Sequence, residues 1–194
     1  MFDDYEADST VFYTYTILEN HAPVAQRKVD DMLFETKGAV ITVDLQYLFV
    51  DPDGEKIVIT ASSSDYDIAN LHVQDKVLYV TSREYGNCTG TILATDGLGA
   101  HGQVDFRILS RDGSKLLDIY PTVVTNGKLF FRASSQHSLS IRIYSESGNI
   151  LVERNLTTSP FSPAFLDISS LGAGTYSVVV NLDGETVSQT IIKL

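Results

Sequence analysis

Residues 118–127 read DIYPTVVTNG and residues 171–180 read LGAGTYSVVV. Between and after them, runs rich in β-branched and aromatic residues alternate with Gly, Asn, Ser and Pro. Such runs are typical of strands, and their short spacing is typical of an antiparallel sandwich. Six strands are predicted, at residues 128–132, 139–144, 150–154, 164–168, 175–181 and 185–192. The sequence therefore predicts an all-β domain at the C-terminal end.

Two pairs of turn residues lie between these runs, Ser147-Gly148 and Asp183-Gly184. Tight two-residue hairpin turns need a positive φ, which glycine adopts at little cost. Both pairs therefore predict hairpins.

Three motifs follow one another in this region. Tyr120-Pro121 is followed by Asn126-Gly127, then Ile143-Tyr144 by Ser147-Gly148, and the last motif runs from Leu171 to Tyr176. In this order they resemble the C-terminal sorting domain of the type IX secretion system, with which some Gram-negative bacteria export proteins across the outer membrane. The resemblance covers residues 118–194. It departs from the family pattern where the family has prolines and an asparagine beside these motifs.

The resemblance implies that the last domain is an export address. The outer-membrane type IX translocation machinery would recognise it, and a sortase-like peptidase would remove it while the passenger is attached to surface lipopolysaccharide. The residues assigned to this sorting signal are Tyr120, Pro121, Gly127, Gly174, Tyr176, Lys193 and Leu194. The terminal strand, residues 185–194, is expected to be an edge strand to which a partner adds a strand. The protein is expected to be secreted or held at the cell surface.

The peptide before this domain is polar, contains glycine and carries two basic residues. Exposed segments of this kind are the usual sites of proteolytic cleavage. The predicted processing linker consists of Arg111, Asp112, Gly113, Ser114 and Lys115.

The preceding part of the chain has a similar pattern. Strands are predicted at residues 39–45, 56–62, 71–73, 77–81, 90–95 and 103–108, with one helical turn at 45–49. A chain of 194 residues is more typical of two domains than of one. We therefore predict two tandem immunoglobulin-like β-sandwich domains, at residues 20–110 and 111–194. Residues 1–19 are read as a linker strand or the end of an upstream domain.

Four short motifs in the first domain resemble the cadherin-like and immunoglobulin-like modules of bacterial surface proteins. They are Asn20 to Val24, Asp51 to Glu55, Ser63 to Asp65 and Ala94 to Gly97. The resemblance implies a calcium site at Asp51, Asp53 and Asp96, since Ca²⁺ binds six to eight oxygens. The alternative is that the first of these acidic segments is only a type I turn, which its Asp-Pro-Asp-Gly sequence favours.

The charge excludes one class of partner. The formal net charge is −11 and the pI is near 4.6, whereas nucleic-acid binding needs clustered Lys and Arg. No apolar run approaches the roughly 20 residues that span a bilayer. The first residues, MFDDYE, are acidic and unlike a signal peptide. An exported protein needs such a signal, so we expect a C-terminal fragment of a larger protein.

The sequence has no catalytic motif. The four histidines, His21, His72, His101 and His137, lie in four different segments, without an HExxH pair or a nucleophile elbow. The single cysteine, Cys88, is expected to be a small buried apolar residue. The prediction is a non-catalytic tail without a cofactor other than calcium, with the first sandwich as a spacer or adhesion-like module.

Two alternatives stay open. The chain could be the tail of a secreted peptidase or other hydrolase whose catalytic domain lies upstream. The first sandwich could also be a carbohydrate- or protein-binding module, with Tyr47, Tyr66 and Tyr85 as an aromatic platform.

Overall fold

A computed structural model describes residues 19–194, and these residues form seventeen strands and no helix. The linker strand or domain end predicted at residues 1–19 lies outside the described part up to residue 18. Among the described residues, no helix is long and apolar enough to cross a membrane. The chain has the predicted fold class, two tandem immunoglobulin-like β-sandwich domains.

The first sandwich contains nine strands, and all of their pairings are antiparallel except one. In chain order they are β1 (Val24–Ala25), β2 (Met32–Phe34), β3 (Val40–Asp44), β4 (Phe49–Val50), β5 (Val58–Ser63), β6 (Ala69–Gln74), β7 (Val77–Ser82), β8 (Gly86–Thr95) and β9 (His101–Ser110). All six strands predicted here are present. The two-residue and three-residue strands β1, β2 and β4 were not predicted.

Two sheets make up this sandwich, in the orders β2-β9-β8-β5 and β3-β7-β6, and β1 pairs with β4 beside them. The parallel pair is β2 with β9. Alternate residues of the strands point inward, so that Ile92 and Ala94 of β8 meet Leu78 and Val80 of β7 in one core. Burial of these apolar side chains stabilises the sandwich by roughly 1.5–3 kcal/mol per large residue.

Two turns differ from the sequence predictions. Residues 45–48 form a tight turn in which Leu48 N donates to Leu45 O (3.0 Å), so the predicted helical turn is wrong. Leu45 and Leu48 are both buried in the core, which favours the turn over a helix. The turn between β6 and β7 has Asp75 and Lys76 at positive φ, without the glycine that would have identified it.

The second sandwich contains eight strands. They are β10 (Leu117–Tyr120), β11 (Val123–Val124), β12 (Lys128–Ala133), β13 (His137–Tyr144), β14 (Ile150–Thr158), β15 (Ala164–Asp167), β16 (Gly174–Leu182) and β17 (Glu185–Lys193). All six predicted strands are confirmed, and β10 and β11 are additional.

Its sheets have the orders β10-β12-β15 and β11-β17-β16-β13-β14. The second core lies between them and includes Phe131 and Leu129 from one sheet and Ile141 and Val178 from the other. The predicted hairpins at 147–148 and 183–184 are confirmed: they connect β13 to β14 and β16 to β17, with positive φ at both glycines.

Candidate functional site

One end of the second sandwich gathers strand ends that are far apart in the sequence. Three strands end at this end of the sandwich, namely β10 at Tyr120, β15 and β17. Two strands begin there, namely β12 and β16. We call this surface the distal end and define it by residues 120–128, 167–176 and 192–194. All seven residues assigned to the sorting signal lie at this end; six are exposed or half-buried, and Gly127 is buried beneath them.

The last residues of the chain are paired on both sides. Besides its antiparallel partner β16, β17 has a short parallel partner in β11, where Val123 pairs with Ile192 and Val124 with Lys193. Leu194 N donates to Val124 O (3.1 Å). We call this arrangement the terminal clamp. Val124 is fully buried, so the terminal clamp attaches the end of the chain to the second core.

The terminal clamp corrects one prediction. The sequence predicts that residues 185–194 form an edge strand to which a partner adds a strand, and this is wrong for residues 192–194 because β11 covers them. From Glu185 to Ile191, by contrast, β17 has no second strand partner among the described residues. A side-chain bond from Gln189 Nε2 to Ile119 O (2.9 Å) crosses part of that edge.

A glycine turn holds the distal end together. Gly127 has φ +70° and accepts a hydrogen bond from Ile168 N (2.8 Å). A Cβ at this position would lie 2.9 Å from the Cβ of Ser169. Both the positive φ and the close approach require glycine. The hydrogen bonds that Ser169 donates lower the pKa of Asp167 in the same loop.

The loop before β16 is fixed by a tyrosine. Tyr176 Oη donates to Gly172 O (2.8 Å), and its ring packs against the second core. Gly174 pairs with Lys193 of the last strand. The late motif therefore contributes to the same surface as the chain terminus.

The sequence did not predict an aromatic row on the outer face of the β10-β12-β15 sheet. The rings of Tyr120 and Phe130 are stacked, with centroids 5.6 Å apart, and Phe165 follows at 6.2 Å from Phe130. Lys128 lies over Phe165 (5.7 Å) and Arg132 over Tyr120 (5.2 Å). Only the strand register brings these residues together, since they come from three strands.

Burial in this row raises the pKa of Tyr120. Phe165 at the other side of the row stays 55% exposed. The aromatic row therefore extends the distal end as an apolar surface. Its Tyr120 side is partly buried and its Phe165 side is exposed to solvent.

The linker is less exposed than predicted. Arg111 is 4% exposed. Its guanidinium donates hydrogen bonds to Lys115 O (2.6 Å) and Asp118 Oδ2 (3.1 Å) and forms an ion pair with Glu35 Oε1 (3.7 Å). The prediction of an exposed peptide is therefore wrong for Arg111, because this side chain connects both sandwiches. Gly113 N also donates to Glu35 O (2.9 Å).

The remaining part of the processing linker is accessible. Asp112 is half-buried and accepts hydrogen bonds from Ser114, which lower the pKa of Asp112. Residues from Gly113 to Leu116 are exposed. Processing at this segment stays a prediction.

A second contact joins the two sandwiches. Arg107 of the first donates to Phe161 O of the second (2.8 Å) and lies 4.9 Å from the Phe161 ring centroid. Its other bonds go to Asp31, and they hold the pKa of that carboxyl below its usual value. The contacts of Arg107 and Arg111 therefore connect the two sandwiches, and we call this connection the joint.

The acidic residues of the first sandwich lie in turns at its far end. Asp51 Oδ1 accepts from Asp53 N (2.9 Å) and Glu55 N (3.1 Å), and Gly54 N donates to Asp51 O (3.2 Å). Asp53 accepts from His21 N (2.7 Å), which lowers the pKa of Asp53. The predicted turn is therefore present.

Asp96 closes a similar turn and accepts from Asn20 Nδ2 (2.9 Å). Asn20 Oδ1 and Asp51 Oδ2 are buried without a hydrogen-bond partner. Within residues 19–194, however, no group of three or more acidic, histidine or cysteine side chains is placed to hold a metal ion. Calcium binding at Asp51, Asp53 and Asp96 stays a prediction from sequence.

One serine, one histidine and one aspartate form a hydrogen-bonded chain. Ser135 Oγ lies 2.7 Å from His137 Nε2, and His137 Nδ1 lies 2.5 Å from Asp183 Oδ2. A hydrolase site also needs a cleft and donors for an oxyanion, whereas Asp183 is 65% exposed in a hairpin turn. The chain of bonds therefore connects two loops of the sandwich.

Cys88 is buried, as predicted. Burial raises the pKa of its thiol, which reduces the thiolate that reacts.

The three tyrosines considered as a platform lie in three different loops. Tyr47 is in the turn before β4, whereas Tyr66 precedes β6 and Tyr85 precedes β8. Tyr66 stacks with Arg83 (4.3 Å) and Tyr85 with Lys37 (4.8 Å). Each of the latter two rings therefore already has a cationic neighbour.

Comparison with known protein families gives a match in the second sandwich. Residues 118–194 match the family described as the secretion system C-terminal sorting domain. This match indicates a secreted or cell-surface protein that is exported across the outer membrane, and a non-catalytic C-terminal secretion tail. A comparison with curated proteins gives no match.

Solved structures of tandem sandwiches are similar at low identity. The titin Ig tandem domains A164-A165 are 10% identical, with 91% of this chain and 97% of that chain covered and a TM-score of 0.45. The D00-D0 domain of intimin is 10% identical, with 89% and 98% covered and a TM-score of 0.39. Dimeric latent PorU from Porphyromonas gingivalis is 16% identical, with 81% and 16% covered and a TM-score of 0.29. At these TM-scores the similarities carry no functional information.

Proposed function

We propose that residues 118–194, which match the family described as the secretion system C-terminal sorting domain, act as such a domain, and that its distal end is the surface that the outer-membrane translocation machinery recognises. One observation carries the proposal. The seven residues assigned to the signal span 75 positions in the sequence, from Tyr120 to Leu194, and meet on one surface. That surface exists only when the sandwich is folded.

The distal end offers two kinds of contact. The terminal clamp presents Ile192 and Leu194, both exposed, on a rigid support. The aromatic row adds an apolar surface beside it, with Phe165 open to solvent. Aromatic side chains on a fixed support are favoured in protein interfaces because they lose little conformational entropy on binding.

The open part of β17 is a second docking element. The backbone groups on its second side, between Glu185 and Ile191, can pair with a strand of the partner. A partner strand there would lie beside Ile119, whose carbonyl already accepts the Gln189 side chain.

The first sandwich, residues 20–110, is proposed as a spacer or adhesion-like module that carries the passenger. Arg111 and Arg107 fix it to the sorting domain, residues 111–194, and thereby hold the distal end away from the passenger. A secreted peptidase or other hydrolase upstream is a passenger of the expected kind. The sortase-like peptidase is proposed to cut between Gly113 and Leu116, where the linker is exposed.

A surface-export assay tests the proposal. A periplasmic reporter is fused to the N-terminus of the complete 194-residue chain and expressed in a host with the type IX machinery, with a second fusion that ends at Asn181 in place of Leu194. The truncated form loses Leu182 and β17, and with them the terminal clamp and the open strand edge, whereas the aromatic row is kept. We expect at least a tenfold drop in reporter at the cell surface. Equal export of both fusions would refute the proposal, provided that an established sorting tail exports the same reporter.

A further inference from the structure

A cavity of about 460 Å³ opens in the first sandwich, far from the sorting domain. It lies between β5 and β6, which are the edge strands of the two facing sheets, and is closed at one end by the turn before β4. Its volume falls in the range of small-molecule sites, roughly 300–1,000 Å³. Of its lining residues, only Tyr47 was considered a candidate binding residue from the sequence.

The floor of the cavity is apolar. Leu45 and Phe49 come from the core, and three aliphatic side chains of the edge strands complete it. The five floor residues are Leu45, Phe49, Ile57, Ile59 and Val73. Water in contact with such a floor is displaced favourably by an apolar chain.

The rim of the cavity is polar and cationic. It consists of Tyr47, Lys56 and Lys76, all exposed. Within residues 19–194 neither lysine forms an ion pair. Glu55, which precedes Lys56, accepts from Gly97 N instead (3.0 Å).

Tyr47 is the most exposed large hydrophobic residue of the described chain, at 76%. It has φ +60°, a conformation that non-glycine residues rarely adopt. Tyr47 lies between the buried residues Leu45 and Leu48, and its side chain contributes to the lining of the cavity. Strained residues of this kind cluster at ligand sites.

We propose that this cavity binds a single aliphatic chain that ends in a carboxylate, as in a fatty acid. The floor takes the alkyl chain, and the two ammonium groups and the phenol bind the carboxylate. Charge complementarity supports this occupant, because Lys56 and Lys76 are the charged residues of the cavity lining and both are cationic. The proposal does not depend on the sorting function.

Calorimetric titration of the complete chain tests it, with octanoate, decanoate and dodecanoate below their micelle concentrations. Each buried methylene should tighten binding about fourfold. Decylammonium, with the same alkyl chain and the opposite charge, should bind at least tenfold more weakly than decanoate. The Val73→Trp variant fills the cavity and should lose all of these ligands.

The double variant Lys56→Glu/Lys76→Glu should bind decanoate at least tenfold more weakly than the unaltered chain does, and it should bind decylammonium more tightly. The matched control Lys115→Glu/Lys128→Glu has the same change in net charge and should bind like the unaltered chain. Circular dichroism and the Tm verify that each variant is folded. The proposal is overturned by absence of decanoate binding, by equal affinity for decanoate and decylammonium, or by equal effects of the two double variants. Binding of an acidic peptide but no fatty acid would overturn it as well.

Discussion

Replacing Val124 with glutamate should release the chain terminus and abolish surface export. Val124 is fully buried, and its carbonyl accepts the last backbone N–H of the chain. A carboxylate there loses the burial of the valine and must also leave the core to stay hydrated. We expect the free energy of unfolding of the sorting domain to fall by about 3 kcal/mol. Reporter export should fall at least tenfold.

The neighbouring residue is the matched control. Val123 lies on the same two-residue strand but is 44% exposed, so that Val123→Glu leaves the pairing with Ile192 possible. Its effect on stability should stay within about 0.5 kcal/mol. Denaturant unfolding and hydrogen exchange at residues 190–194 measure both variants. Similar exchange rates in the two would contradict the role of the terminal clamp.

Replacing Arg111 with methionine should loosen the joint between the sandwiches. The side chain is buried, and its removal leaves Asp118 and Glu35 without their ion-pair partner. Breaking a buried ion pair costs about 3–5 kcal/mol. Since both carboxylates here are partly exposed, we expect a loss of about 2 kcal/mol. Hydrogen exchange at residues 111–118 and small-angle scattering should show a mobile linker.

Arg154→Met is the corresponding control. Arg154 is exposed, and its side chain bonds only the carbonyl of its neighbour Glu153 in the described structure. This change should alter stability by less than about 0.5 kcal/mol and leave the linker as protected as before. If Arg111→Met behaved in the same way, the buried arginine would not fix the joint.

The regular strands could be predicted from sequence because their physics is local. Alternation of apolar and polar residues specifies a half-buried strand, and a glycine at positive φ marks a hairpin. The β6–β7 turn had no such signal, since Asp75 and Lys76 adopt positive φ without glycine. Leu45 and Leu48 have helical spacing, but both fit the core of the sandwich from a tight turn.

The candidate site depends on contacts that are distant in the sequence. Resemblance to the sorting family identified its seven residues, but not that they share one surface. β11 has only two residues, and its parallel pairing with the terminus follows from the topology. The aromatic row needs the register of three strands. Arg111 was predicted to be an exposed linker residue, because a charged residue in a polar segment is usually exposed. Its two carboxylate partners come from different sandwiches and are not evident from the local sequence.

The most direct test of the account compares two identical dipeptides. Lys115-Leu116 lies in the linker and Lys193-Leu194 at the distal end, and both leucines are exposed. Replacing each dipeptide with Glu-Asp in the reporter fusion makes the same chemical change without altering the core. The measurement is the total amount of reporter outside the cell, attached or released, so that altered cleavage at the linker is not counted as a loss of export. We expect the distal variant to stay in the periplasm and the linker variant to be exported like the unaltered fusion. Equal export of the two variants would contradict recognition at the distal end.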